Sequence, residues 1–500
     1  MIYRRILALI ILCLAGPSFA SAQGVSVLTV NWNELSPPTK TAITLQVVEN
    51  PPLRRSSPIH DAAWKNLREL HTDATRLAFW YPYPRLAVAE LSPPSANETH
   101  WDFKDIDPIV KDFFHATAGH SNVLTFSTIP TWMFSQADPG PIPASPDEAM
   151  WNYEAGTQLR DPTGAEAAAY FARVAGWYSQ GGFTDELGKR HISTHHLPIA
   201  WWEVLNEPEY EHALSIEQYT GLYDRTVAAV KAVSPATKFV GMSLAEPTRN
   251  PAAFEYFLNP ANHLPGTPLD AISFHFYADA EPGESDDAQQ FAFFASADAF
   301  IDAVRYIGSI RHRLSPSTEI HINEAGCIAA ADLPQTGKVA LQAPTQNYFS
   351  LCGAVFAYLY AHLAGQGIDV LGASQLLGYP GQFPSVSLLD WKTGAPNVRY
   401  AVLQLLHDNM GPGDRIATAD LKSHDLYAAA FVSPSGERKL LVINKRKHAA
   451  TFDCRECVGS SVQSVEGAAN MSFAHRGIVS STQIDLAAFA VSIFTLKQRS

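Results

Sequence analysis

Two carboxylates stand at the ends of apolar runs far apart in this 500-residue chain. "WWEVLNEPEY" (201–210) stops on Asn206-Glu207-Pro208, and "EIHINEAG" (319–326) carries Glu324 at the close of a second run. A buried strand seldom ends on an amide beside a carboxylate without a use for both. Two carboxyl groups flanking one bound molecule are the equipment for breaking a glycosidic bond. One protonates the leaving oxygen, and the other attacks the anomeric carbon or activates a water. Asn206 is placed to donate to a sugar hydroxyl, and Pro208 turns Glu207 away from the right-handed helical region, which ends the run there.

Neighbouring candidates are less well placed. Glu203 lies inside the run, and Glu209 and Glu211 lie past its end. His191, His195 and His196 in "HISTHH" lack the helical HExxH spacing and read as a solvated loop rather than a metal site. Cys454 and Cys457 have CxxC spacing, but zinc would want a second such pair, so a local disulfide or two idle thiols is expected. No metal and no cofactor is expected. Trp132, Phe134, Trp151 and Tyr153 fall in or near a long segment rich in Pro and Gly, and loops of that length are commonly functional. Aromatic rings there could carry sugar rings, and Trp132 is the candidate substrate-binding residue among them.

Something must bring Glu207 and Glu324 together. Between about residues 43 and 410, short β-rich runs alternate with helical patterns. The runs are 43–48, 75–80, 122–128, 199–205, 238–244, 271–277, 319–324 and 368–375. Most are nearly continuously apolar, as parallel strands covered on both faces are. Phe103, Ile106, Val110 and Phe113 recur at helical spacing, as do Phe294, Ala297, Ile301 and Val304. The pattern predicts a (β/α)8 TIM barrel, with a doubly wound sheet as the weaker alternative. Chemistry in such a barrel gathers where strands end, at the C-terminal face. Glu207 would follow strand four and Glu324 would close strand seven, across the barrel mouth from each other.

With the motifs placed, a resemblance can be stated. "WEVLNEP" and "HINEAG" resemble the acid/base and nucleophile strands of clan A glycoside hydrolases. Within the clan the chain is most similar to glycoside hydrolase family 39, the β-xylosidase and α-L-iduronidase family. "WDFKDIDPIV" (101–110), "SFHFYA" (273–278) and "SLLDWKTGAPNVRYAVLQLL" (387–406) extend the likeness over the barrel. The resemblance implies that Glu207 is the general acid/base and Glu324 the nucleophile of a retaining mechanism. It implies that Asn206 contacts the hydroxyl beside the anomeric carbon, that Tyr277 hydrogen-bonds the nucleophile with His275 beside it, and that Arg76 orients the nucleophile. A structural ion pair is the other reading of Arg76. The chain departs from the family twice. It reads "RLAFW" where members carry a His soon after the strand-two Arg, and "GASQLLGYP" where they tend to end strand eight on a Trp.

The rest of the sequence sets the context. Hydrophobic residues make up 46% and charged residues 17%, an ordinary globular balance. Arg4 and Arg5, the apolar run Ile6–Ala15 and Ala20-Ser21-Ala22 read as a cleavable signal peptide over 1–22. A secreted or periplasmic location follows as an expectation. No later stretch is expected to be long and apolar enough to span a bilayer, so no membrane insertion is expected after cleavage. Loss of two arginines takes the formal net charge from −13 to −15, which disfavours nucleic acid and suits an oligo- or polysaccharide partner. Residues 23–42 are expected to add a strand to a C-terminal β-sandwich over 411–500, with the catalytic barrel over 43–410. The expected activity is that of an exported retaining hydrolase, with a β-xylosidase-like exo-enzyme as its finer form. The alternative is a catalytically silent carbohydrate-binding barrel of the cell envelope.

Overall fold

The computed structural model describes residues 25–135, 140–153, 157–279, 281, 284–329, 332, 344–380, 382–467 and 475–497. The segment read as a signal peptide lies outside the described residues.

The strands in chain order are β1 (Ser26–Leu35), β2 (Ala42–Val48), β3 (Thr75–Phe79), β4 (Asn122–Phe126), β5 (Gly182–Thr184), β6 (Arg190–Ile192), β7 (Trp201–Val204), β8 (Lys238–Leu244), β9 (Ala271–Asp279), β10 (Glu319–Ile328) and β11 (Val370–Ala373). Between them run α1 (His60–Leu70), α2 (Pro84–Ala87), α3 (Asp107–Ala116), α4 (Ala165–Ser179), α5 (Pro208–Glu211), α6 (Ile216–Val233), α7 (Ala252–Phe257), α8 (Asp286–Leu314), α9 (Gln346–Leu363) and α10 (Val398–Asn409). Strands β2, β3, β4, β7, β8, β9, β10 and β11 form a closed parallel barrel in that order. The pairing of Ala42 with Val370 through Leu45 with Ala373 closes it, which removes the doubly wound alternative. Hairpin β5–β6 stands outside the barrel.

Local chemistry fixes several boundaries. Helix α3 starts at Asp107 with Pro108 in its first turn, so Phe103 and Ile106 are buried ahead of the helix rather than within it. Helix α6 opens on a capping box, in which Ser215 Oγ accepts from the Gln218 N–H at 3.3 Å and Gln218 Oε1 accepts from the Ser215 N–H at 2.9 Å.

The C-terminal strands are β12 (Arg415–Leu421), β13 (Leu426–Val432), β14 (Arg438–Asn444), β15 (Ala450–Asp453), β16 (Ser461–Val465), β17 (His475–Ile478), β18 (Gln483–Leu486) and β19 (Val491–Thr495). With β1 they make one curled sheet of nine strands, in the order β17-β16-β19-β14-β13-β12-β1-β15-β18. Strand β1 runs antiparallel to β12 and parallel to β15. Alternation assigns each face. Ala428, Ala430, Leu440 and Val442 line the sheet's own core with Phe452 and Phe494, while Ala429, Phe431, Leu441 and Ile443 join the barrel's core. The disulfide Cys454–Cys457 lies in the first of these cores, and Cys327 and Cys352 are free and buried.

One expectation needs correction. The helical stretch Gln346–Gln366 has the length and hydropathy of a membrane span, yet 83% of its apolar window is buried inside the protein. Helix α9 is apolar all round because it is covered on every side, by α8 and α10 and by the C-terminal sheet, where Tyr360 stacks on Phe431 at 5.9 Å.

Candidate active site

Arg76 on β3 organises the barrel mouth. It is 1% exposed, and its donors all go to protein acceptors. Nε donates to Glu203 Oε2 at 2.5 Å, Nη1 to Gln46 Oε1 at 2.6 Å and Glu324 Oε1 at 2.5 Å, and Nη2 to Asn206 Oδ1 at 2.6 Å and Ser243 Oγ at 3.4 Å. No donor is left for a sugar. Its geometry joins both readings of Arg76: it positions Glu324 and is also half of a structural ion pair with Glu203. Burial opposes its charge, but Glu203 and Glu324 outweigh burial and raise its pKa.

Glu203 is fully buried inside the barrel. Besides Arg76, it accepts from Ser273 Oγ at 2.5 Å, Asn323 Nδ2 at 2.6 Å and Thr125 Oγ1 at 2.7 Å. Burial alone would raise its pKa, yet Arg76 and these hydroxyls hold it below the ordinary value. With four donors on two oxygens it has no capacity for chemistry.

Glu324 is held from two sides. Arg76 takes Oε1, and the Tyr277 hydroxyl donates to Oε2 at 2.6 Å. A directional chain continues outward: Gln46 Nε2 donates to Ser374 Oγ at 2.8 Å, which lies 2.6 Å from the Tyr277 hydroxyl. Burial, then the Glu324 charge, pushes the Tyr277 pKa well up, so the phenol stays a donor.

Glu207 stands at the mouth, with its side chain 23% exposed. His275 Nδ1 lies 2.7 Å from its Oε1 and 3.6 Å from Glu324 Oε2, and His275 Nε2 lies 3.2 Å from Ser243 Oγ. Burial lowers the imidazole pKa, but the charge of Glu324 and the hydrogen bond to Glu207 raise it by more. Donor atoms of Glu207, His275 and Glu324 all fall within 4.8 Å of one another. A carboxylate pair and an imidazole of that spacing could also ligate a cation, but the same atoms suit proton transfer and attack on one bound carbon.

The backbone is strained where these groups are aimed. Leu205 (φ 62°), Glu207 (φ 41°), Met242 (φ 75°) and Ser243 (φ 50°) all occupy the left-handed region, at a cost of about 1–3 kcal/mol each. The Glu207 N–H donates to Ser243 O at 2.9 Å, which ties the ends of β7 and β8 together. Asn206 Nδ2 donates to Glu211 Oε1 at 2.9 Å, leaving its second N–H for a ligand.

The other candidates lie elsewhere. Trp132 donates from its indole to Glu90 O at 2.9 Å, and the Arg160 guanidinium covers one of its ring faces at 4.6 Å. Phe134 stacks on His212 at 5.0 Å, and Tyr153 is buried. The "HISTHH" histidines do not converge: His191 pairs with Asp185 at 2.7 Å and His195 with Asp107 at 3.0 Å. His195 is buried rather than solvated, because its aspartate partner comes from α3. Gln46, Ser243, Asn323 and Ser374 also belong to the site, and as ordinary polar residues their only signal in the sequence is an inward register.

No family model and no curated protein matches the sequence. Solved structures match the fold. The GH51 arabinofuranosidase from Xanthomonas axonopodis pv. citri aligns with a TM-score of 0.62 at 11% identity, covering 95% of this chain and 100% of that one. The GH30 endoxylanase from Clostridium papyrosolvens C71 gives 0.57 at 13%, with the same coverage. A conserved exported protein from Bacteroides fragilis gives 0.61 at 11%, covering 94% and 100%. At these identities the likeness is one of fold.

Proposed function

We propose that the chain is a retaining glycoside hydrolase, with Glu207 as acid/base and Glu324 as nucleophile. The observation that carries this reading is that one oxygen of Glu207, one oxygen of Glu324 and a ring nitrogen of His275 all lie within 4.8 Å of one another. Retaining pairs stand about 5–5.5 Å apart, whereas inverting pairs leave about 6.5–9.5 Å for a water. In the first step Glu207 gives its proton to the glycosidic oxygen while Glu324 bonds to the anomeric carbon, and the C–O bond breaks. In the second, Glu207 takes a proton from water, which displaces Glu324. Tyr277 and Arg76 hold and aim Glu324, and His275 orients Glu207.

The finer parts of the reading are the sugar, family 39 membership and export. Neutral pentosides are the first substrates to try, since structural neighbours include a xylanase and an arabinofuranosidase. An exo-acting β-xylosidase is one form of this activity. Export rests on the leader-like residues 1–22 and on the exported neighbour.

The experiment uses secreted protein, whose N-terminal sequence should begin near Gln23, and a panel of aryl α- and β-glycosides. Glu324→Ala should abolish turnover with every leaving group. Glu207→Ala should lose roughly 10²–10⁴-fold on a disaccharide but far less on a dinitrophenyl glycoside, which needs little acid assistance. Azide should restore Glu207→Ala and give a glycosyl azide of retained configuration. Equal losses on both leaving groups, or azide rescue of Glu324→Ala with retention, would reverse or remove the assignment. A folded wild type that binds sugars without turning any over would favour the silent binding barrel.

A further inference from the structure

Four aromatic rings meet at the C-terminal face of the barrel. Trp80 and Tyr81 follow β3, Trp151 comes from the segment after β4, and Phe383 from the loop after β11. Trp80 lies 5.2 Å from Trp151 at 85° and 6.0 Å from Phe383 at 39°, and Trp151 lies 6.5 Å from Phe383 at 90°. The rings meet edge-on or tilted rather than face to face, and Trp151 is 39% exposed. Phe383 is set in a left-handed conformation (φ 52°), a cost that a loop serving only to connect does not need.

Trp80 is clamped. Its backbone N–H donates to Glu49 Oε2 at 2.6 Å, and its indole N–H donates to Glu211 Oε1 at 3.1 Å. The same Glu211 oxygen holds Asn206, the neighbour of Glu207. Glu49 Oε1 and Glu211 Oε2 are buried without a hydrogen-bond partner, and burial pushes the pKa of both acids well up. The wall is therefore tied by two hydrogen bonds to the Asn206 amide beside Glu207.

We propose that Trp80, Trp151 and Phe383 form a stacking wall for neutral sugar units on the glycone side of the scissile bond. The inference rests on the hydrolase reading. Ring faces carry the negative lobe of the aromatic quadrupole and attract the C–H groups on the face of a sugar ring. The glycone side follows from the Trp80–Glu211–Asn206 link, since Asn206 is assigned to the sugar that carries the anomeric carbon.

The test compares wild type, Trp151→Ala and Trp151→Phe on a glycoside that the wild type cleaves, with both an aryl and a sugar leaving group. Trp151→Ala should raise KM roughly tenfold, equivalent to about 1.4 kcal/mol, with kcat little changed and with both leaving groups affected alike. Trp151→Phe, which keeps a ring, should recover most of the loss. An unchanged KM overturns the proposal, as does a loss confined to sugar leaving groups, which would put the wall on the aglycone side. Calorimetric binding of xylotriose and arabinotriose separates this inference from the hydrolase reading. Binding that Trp151→Ala weakens roughly tenfold upholds the wall even if no glycoside is cleaved. Turnover with binding indifferent to Trp151 sinks the wall alone, and no binding of either trisaccharide without turnover sinks both.

Discussion

At the scale of single residues, Arg76 stands among several acids at the mouth, and their surroundings shift those acids in different directions. Arg76 bonds both Glu203 and Glu324, and it helps hold the buried Glu203 below the ordinary carboxylate value. Glu209 has no such partner. One oxygen accepts the Ala245 N–H at 2.7 Å while the other is buried and unpaired, and burial, with the nearby Glu207 charge, lifts its pKa to about 7. Between the ordinary value near 4.5 and that value, the folded chain holds a proton that the unfolded chain releases. Folding stability should therefore fall as pH rises through this window. Glu209→Gln, which cannot ionise, should show a smaller fall, so its stability advantage over wild type should grow from pH 5 to pH 7.5 in denaturant titrations. A constant difference would mean that Glu209 titrates normally.

Elements aim these residues through breaks in their regularity. In β9, alternation puts Ser273, His275 and Tyr277 on the inner face, while Phe274 and Phe276 pack against Phe300 of α8. Strand β10 departs from alternation: its register against β9 and β11 shifts between residues 321 and 325. That irregularity lets Asn323 and Glu324 both point inward, one to Glu203 and the next to the mouth. Strand β8 shifts near Ser243 in the same way. Its helix-side face is tight, for a Cβ on Gly241 would fall 2.9 Å from Phe257 Cε1, closer still to its Cζ, and 3.0 Å from Tyr223 Cε2. Both rings are fully buried and pack on each other at 5.0 Å, so neither can yield. Gly241→Ala should cost about 1–3 kcal/mol in denaturant unfolding and lower activity by displacing Ser243 and with it Glu207. A neutral effect on both would show that this layer adapts.

The whole molecule joins barrel and sheet through a shared core. Phe431, Leu441 and Ile443 of the sheet belong to the same apolar cluster as α9 and the barrel strands. Tyr358 and His362 of α9 contact Tyr427 at 4.9 and 4.5 Å, which extends that seam. A sheet that buries alternate residues against the barrel should unfold with it. Phe431 is fully buried at the seam, and Phe431→Ala should cost about 3–5 kcal/mol. Calorimetry should record a single transition for wild type and variant alike, and a separate early transition in the variant would make the sheet an independent unit.

By itself the sequence determined the periodic features. Eight apolar runs between helical patterns specify a parallel barrel, because strands covered on both faces must be apolar throughout. Carboxylates closing runs four and seven specify where to look, because parallel strands deliver their ends to one face. Tertiary structure alone decided the contacts. Arg76 meets Glu203, Glu324, Gln46 and Asn206 across separations of up to 248 residues, and no local pattern encodes such a meeting. Trp80, Trp151 and Phe383 come together the same way, from three loops whose lengths and turns carry no period. Periodicity reports which face of an element is buried; which side chains then touch depends on strand register, bulges and loop paths, and those are fixed only when the barrel closes.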